Sequence, residues 1–398
     1  MKKLSILIIA PDCSRTGAPM LLLHMLSLLK EKYLIYSIDL ITEREGDLIS
    51  EYQKIIRHFL GSIEWQHDRR LIIRLKNRLM RFLGKSIKST ISLKINGQPA
   101  AKYFKDNKYD LIIANTITQG GYLKAISPYV DCPTISYVHE LELFISLHMH
   151  PAAIQDAIDY TQHFVVPCKE AADNLMNKYG VKGTNISIVP SALKCSRQPE
   201  DNIATTNFKK QKYLVGSIGT PTWIKGADLF VQTCILFFSL YPEYSVEFVW
   251  IGGEANHPEF IKLKTDLDRT SLSDRVRLLS VVDNPLDYLK TFDLLLISSR
   301  EECFPLVLLE AASLQVPVIG FQGTGGGASF LENVGIPTVP YADCLLMAKQ
   351  IARILEDAEM RTTMGQQLHE SQKAKHCPKS FMKKWEDLIE SLTTIKRG

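Results

Sequence analysis

Short aliphatic runs, each followed by a stretch with helical spacing, limit what this chain can become. In the first half they occupy residues 4–10, 34–41, 111–114, 134–138 and 163–166. In the second half they occupy residues 213–218, 246–251, 276–279, 294–297 and 316–320. Hydrophobicity within the runs is continuous rather than alternating, which marks strands covered on both faces, and helical patterns between them make the strands parallel. The two series are separated by residues 193–211, a polar and unpatterned stretch. A chain of 398 residues also exceeds one compact core. The expected fold is α/β, with two doubly wound Rossmann-like domains facing a cleft. The boundaries follow as a first domain over 1–192, a linker over 193–211 and a second domain over 212–375. A carboxyl-terminal segment, 376–398, is expected to carry a helix that packs back on the first domain.

Composition narrows the setting. The eight cysteines lie far apart with no Cys-x-x-Cys pair, which points to reduced thiols in a reducing compartment. Met1-Lys2-Lys3 precedes an apolar run that meets Pro11-Asp12 without a small-residue cleavage site, so the run reads as a buried strand rather than a leader. Nothing in the chain is apolar for long enough to span a bilayer. A cytoplasmic location is expected. The net charge of +4 is mild, so any basic surface must be local.

Open parallel sheets bind ligands beyond the carboxyl ends of their strands. Residues bearing chemistry should therefore sit just after the aliphatic runs. Glu302 and Glu310 do so, eight positions apart, in the segment that follows residues 294–297. Pro305 suits the first turn of a helix, which puts Glu302 in the turn facing the cleft and Glu310 about a turn and a half into a nearly all-apolar helix. A carboxylate there needs a partner, because an unpaired buried charge costs several kcal/mol or shifts its pKa. That partner is either a neighbouring group of the protein or the hydroxyls of a ligand. Lys225 closes a loop of small residues after the run 213–218 and precedes a helix, a combination suited to an anion.

The stretch SREECFPLVLLEAASLQVPVIGF closely resembles the Glu-x7-Glu signature of the retaining glycosyltransferases of family 4, which share the two-domain GT-B fold. The resemblance covers most of the chain and is strongest from Leu214 to Leu331. It implies that Glu302 lies by the transferred sugar and that Glu310 holds the ribose hydroxyls of the donor. It implies too that the amides of Phe304 and Leu306 face the donor phosphates or sugar, whereas Pro305 has no N–H to offer. The segment around Lys225 resembles the family's Gly-Arg…Lys-Gly element, in which Lys225 would stabilise charge on the departing diphosphate. The family's arginine falls on Gly219, leaving Arg300 or another residue to supply a second cation. Thr324, Gly325 and Gly326 stand where the family has a glycine-rich turn and would line the donor pocket; Ser329 replaces the family's glutamate there.

In the first domain, Gly17 matches the family's glycine loop that reaches the donor phosphates, although Thr16 and Pro19 also suit a plain helix start. His139 ends the run 134–138 and matches the acceptor-side histidine; Asn115 and Thr116 are further cleft candidates. Between Asp68 and Asp106 there is no acidic residue. Wound as a helix, Arg70, Arg74, Arg78, Arg81, Lys85 and Lys88 gather on the side opposite Ile72, Leu75, Leu79, Leu83 and Ile87. Such a basic amphipathic face suits an anionic membrane surface; no motif or aromatic interleaving speaks for nucleic acid.

The expected function is transfer of a sugar from a nucleoside-diphosphate sugar to a glycan or lipid-linked acceptor hydroxyl, in surface polysaccharide or glycolipid synthesis, on the inner face of the membrane. The resemblance implies retention of anomeric configuration with no cofactor and no metal, and no Asp-x-Asp ends a strand. Two other readings stay open: a sugar-nucleotide epimerase or phosphorylase of the same fold, and a catalytically degenerate scaffold, which Gly219 and Ser329 would suit.

Overall fold

The computed structural model describes residues 4–32, 36–62, 64–66, 92–95, 97–193 and 212–395. In chain order the strands of the first half are β1 (Leu4–Ala10), β2 (Tyr36–Thr42), β3 (His58–Ser62), β4 (Glu64–Gln66), β5 (Ser92–Ile95), β6 (Gln98–Pro99), β7 (Leu111–Asn115), β8 (Thr134–Tyr137), β9 (His163–Val166) and β10 (Ile186–Ile188). Those of the second half are β11 (Tyr213–Ile218), β12 (Val246–Ile251), β13 (Val276–Leu279), β14 (Leu294–Ile297), β15 (Val318–Phe321) and β16 (Thr338–Val339).

Two parallel sheets result. The first runs β10-β9-β8-β7-β1-β2-β3 and the second β13-β12-β11-β14-β15-β16. Chain order reverses between β1 and β7 in one sheet and between β11 and β14 in the other. A crevice opens at each such point, beyond the carboxyl ends of the strands. Gly17 opens the helix after β1, Asn115 ends β7, and the loops after β11 and β14 carry Lys225 and Glu302.

Strands β3, β10 and β16 carry no clear aliphatic run, and neither does the small antiparallel sheet β4-β5-β6. These are short edge elements, and an edge strand needs little continuous hydrophobicity. The run at 316–320 begins pairing only at Val318, because Pro317 has no N–H for the ladder. The basic residues Arg70, Arg74, Arg78, Arg81, Lys85 and Lys88 and most of the linker fall outside the described residues.

Each sheet is buried on both faces. The helix Pro378–Ile395 sends Phe381, Met382, Trp385, Leu388 and Ile389 into the same core as Ile6, Ile8, Leu22 and Leu26 of the first domain. The chain therefore crosses back after completing the second domain. His376 marks the crossing: its Nδ1 lies 2.7 Å from the Ser191 carbonyl, and its ring sits 4.7 Å from Phe304 and 5.1 Å from Phe330. Among the described residues no helix is long and apolar enough to cross a membrane.

Candidate functional site

The loops after β11 and β14 are zipped together. Arg300 donates its amide to the Ile224 carbonyl at 2.7 Å, and Ser298 Oγ donates to the Lys225 carbonyl at 3.3 Å. Gly226 makes the approach possible. It has φ +65°, and a Cβ there would lie 1.9 Å from the Ser298 carbonyl oxygen. As a result Lys225 Nζ and Glu302 Oε2 form a direct ion pair, with Ser299 Oγ donating to the same carboxylate oxygen at 3.3 Å. The pair lines a recess with Ser217, Trp250, Ser298 and Pro305, beyond the ends of β11, β12 and β14.

Glu302 is held by its backbone as well, its amide donating to the Thr324 carbonyl at 2.7 Å. Thr324 is buried and turns its hydroxyl back to the Phe321 carbonyl at 3.2 Å. The glycines that follow are required by packing. A Cβ on Gly325 would lie 2.3 Å from the Glu302 carbonyl oxygen, and one on Gly326 would lie 2.5 Å from that of Cys303. Gly326 opens the helix Gly326–Val334, and Ser329 in that helix donates to Glu170 of the first domain.

Pro305 caps the helix Leu306–Ser313 from outside rather than lying in its first turn. Phe304 packs among side chains of both domains, and Leu306 reaches the first domain's core. Glu310 sits on this helix, flanked by the buried Leu309 and Ala311, and burial raises its pKa to about 7. No donor among the described residues reaches its carboxylate. Within the described residues Glu310 is thus left without the partner that a carboxylate in such a place needs.

Arg300 is committed elsewhere than to a phosphate. Its guanidinium makes paired bonds to Asp228 at 2.7 and 2.8 Å, donates to the Trp223 carbonyl at 2.7 Å and stacks on the Trp223 ring at 4.3 Å. It braces the loop that carries Lys225 instead of supplying the cation absent at Gly219. Gly219 follows β11, where its carbonyl accepts from Trp250 Nε1 at 2.8 Å.

On the first domain, His139 Nε2 lies 2.9 Å from Asn115 Oδ1, and its ring packs 4.1 Å from Tyr137. Burial lowers its pKa to about 3, so the imidazole is neutral. The next residue, Glu140, is buried and accepts the amides of His139 at 3.0 Å and Ile117 at 3.3 Å. Burial raises the Glu140 pKa to about 7, with the two amides pulling the other way. Thr116 has φ +88°, a strained conformation for a β-branched residue, at the end of β7. Gly17 begins the helix Gly17–Lys32, and a Cβ there would meet nothing within 4 Å. The space beside it is open.

Sequence reasoning passed over Glu301. Its two carboxylate oxygens accept the amides of Leu143 at 2.9 Å and Phe144 at 3.1 Å, at the start of the helix Glu142–His148 in the first domain. Cys168 was likewise unforeseen; its thiol lies 3.6 Å from that of Cys303 across the same seam. Neither carries a local signal, since both act through residues distant in sequence. Among the described residues no group of three or more His, Cys, Asp or Glu side chains could hold a metal ion.

Two parallel sheets, each with a reversal of strand order, and the likeness to solved structures define the GT-B fold. HepE of Anabaena, solved in complex with UDP and glucose, is 15% identical, and the match covers 98% of this chain and 100% of that one at a TM-score of 0.73. WaaG, a glycosyltransferase involved in lipopolysaccharide biosynthesis, is 11% identical with a TM-score of 0.67, over 98% of this chain and 99% of that one. At such identities the likeness speaks for the fold. Residues 210–357 match the family model of the group 1 glycosyl transferases. Curated relatives agree. N-acetyl-alpha-D-glucosaminyl L-malate synthase of Bacillus anthracis is 31% identical over 34% of this chain and 35% of its own length. The lipopolysaccharide core biosynthesis mannosyltransferase LpcC of Rhizobium leguminosarum bv. viciae is 28% identical over 42% of this chain and 47% of its own. The chain thus matches between a third and a half of the length of these relatives.

Proposed function

We propose that this protein is a retaining, metal-independent glycosyltransferase that moves a sugar from a nucleoside-diphosphate sugar to an acceptor hydroxyl, in the synthesis of a surface polysaccharide or glycolipid. The observation that carries the reading is Glu310, a carboxylate that no donor among the described residues reaches, on the helix that follows the Lys225–Glu302 pair. Ribose hydroxyls are donors of the right kind and number for it. Lys225 would then meet the diphosphate and Glu302 the transferred sugar. The amides of Phe304 and Leu306, with Thr324, Gly325 and Gly326, would close the donor site from one side, and Gly219 and Gly17 would leave room for the phosphates. His139, neutral and anchored by Asn115, would present its remaining ring nitrogen on the acceptor side. Relatives that act in lipopolysaccharide core and O-antigen biosynthesis support a polysaccharide or lipopolysaccharide acceptor.

A panel of UDP-, GDP- and ADP-sugars tests the reading by thermal shift. A donor at a hundred times its dissociation constant stabilises the folded chain by about 2.7 kcal/mol. That corresponds to a rise of several degrees in melting temperature, and slow hydrolysis of the same donor should follow. If no nucleotide sugar moves the melting temperature, the chain is better read as a scaffold of the same fold.

The basic residues from Arg70 to Lys88 would hold the protein peripherally on the cytoplasmic face of a membrane. Flotation with vesicles containing anionic lipid is expected to carry the protein, and to fail as salt rises, since each basic residue near such a surface contributes about 1 kcal/mol. Equal flotation with neutral vesicles would contradict an electrostatic hold.

A further inference from the structure

Both chain neighbours of Glu302 are fastened to the opposite domain. Glu301, before it, takes the amides of Leu143 and Phe144 at 2.9 and 3.1 Å. These N–H groups lie in the first turn of the helix Glu142–His148 and have no partner within that helix. Cys303, after it, takes the Cys168 thiol on its carbonyl at 3.2 Å. The same seam holds a third point of closeness, because a Cβ on Gly325 would meet Leu141 Cδ1 at 2.8 Å. Glu142, the neighbouring carboxylate, would repel Glu301; the Tyr179 hydroxyl donates to it at 2.8 Å and holds it aside. Glu302 thus projects from a loop gripped on either side by the first domain, while its own carboxylate reaches Lys225 of the second.

We propose that Glu301 is a positioning residue, whose bonds to the Leu143 and Phe144 amides hold the domains closed and so set the loop that presents Glu302. Closure and the geometry of the Lys225–Glu302 pair become one event. The positioning part rests on the function proposed above; the clasp itself does not.

The thiols at the seam give a readout that needs no substrate. Cys168 and Cys303 are buried between the domains, whereas Cys234 is buried inside the second domain's own core. Alkylation of each by iodoacetamide can be followed by peptide mass spectrometry. In Glu301→Ala, Cys303 is expected to react several-fold faster than in the wild type while Cys234 stays protected. Labelling of Cys303 at the wild-type rate would overturn the clasp. If Cys234 also becomes reactive, the variant has lost its fold, and Glu301→Gln, of the same size, decides by the same criterion. With UDP-glucose as probe, kcat for donor hydrolysis should fall at least several-fold with KM little changed, and Glu301→Asp should recover part of it. Faster Cys303 labelling with kcat intact would leave a clasp that positions nothing, and would overturn the second half of the proposal. A wild type that hydrolyses no UDP-glucose bears on the proposed function, and the labelling then decides the clasp alone.

Discussion

Lys225→Met and Glu302→Gln are each expected to lower kcat for donor hydrolysis by about 10²–10³-fold, the range found when one preorganised electrostatic contact to a developing charge is removed. Departure of a nucleoside diphosphate builds negative charge on its bridging oxygen, and an ammonium at that point acts only as the charge appears. The Lys225 ammonium is held ready by its contact with Glu302 and by the loop that Gly226 lets against Ser298. Methionine keeps the length of the stem and removes the charge. Nucleotide affinity should change less than kcat, because a contact made chiefly in the transition state lowers kcat and kcat/KM together. Since the two side chains touch, the double variant should be far from additive. A kcat within a few-fold of the wild type in either single variant would remove that residue from the chemistry.

The fold was legible because parallel strands advertise themselves. Residues 294–297 are apolar throughout and 246–251 are apolar but for Glu247, and helices on both faces bury such strands. The ends of β11 and β14 as places to look for Lys225 and Glu302 followed from that reading, whereas the reversal points emerge only from the strand order. Edge strands were illegible for the converse reason. His58–Ser62 contains a glycine at φ +77° and pairs with β2 through a register shift, so a short mixed segment completes the sheet without an aliphatic run. The site was legible one loop at a time. That Lys225 would touch Glu302 depends on Gly226 meeting Ser298 across 72 positions (298 − 226), which no local pattern encodes. Arg300 shows the limit from the other side. A free cation near the site is an obvious stand-in for the arginine absent at Gly219, but its partners are decided by where Asp228 and Trp223 lie in space.

Glu310 carries the sharpest pH signature. Burial raises its pKa from the ordinary 4.5 to about 7. Between those values the folded chain holds a proton that the unfolded chain has released, so the contribution to stability is complete below about pH 4.5 and is lost as pH rises through about 7. The ligand-free protein above neutrality therefore carries a poorly compensated carboxylate. Glu310→Gln should raise its stability at pH 8, by an amount on the order of 2 kcal/mol. Nucleotide binding should respond in the opposite direction. A charged carboxylate accepting two hydroxyls gains about 1.5–3 kcal/mol per bond. Loss of the charge should then cost roughly a hundred-fold in the dissociation constant for UDP, measured by calorimetry. Wild-type affinity should also rise from pH 6 to pH 8 as the carboxylate ionises, and the variant should show no such rise. Stabilisation without loss of affinity would mean that Glu310 is strained for some purpose other than the ribose. A residue that weakens the empty protein and tightens the complex is a binding residue in the thermodynamic sense, because the cost of leaving it unpartnered is returned only when the ligand supplies the missing donors.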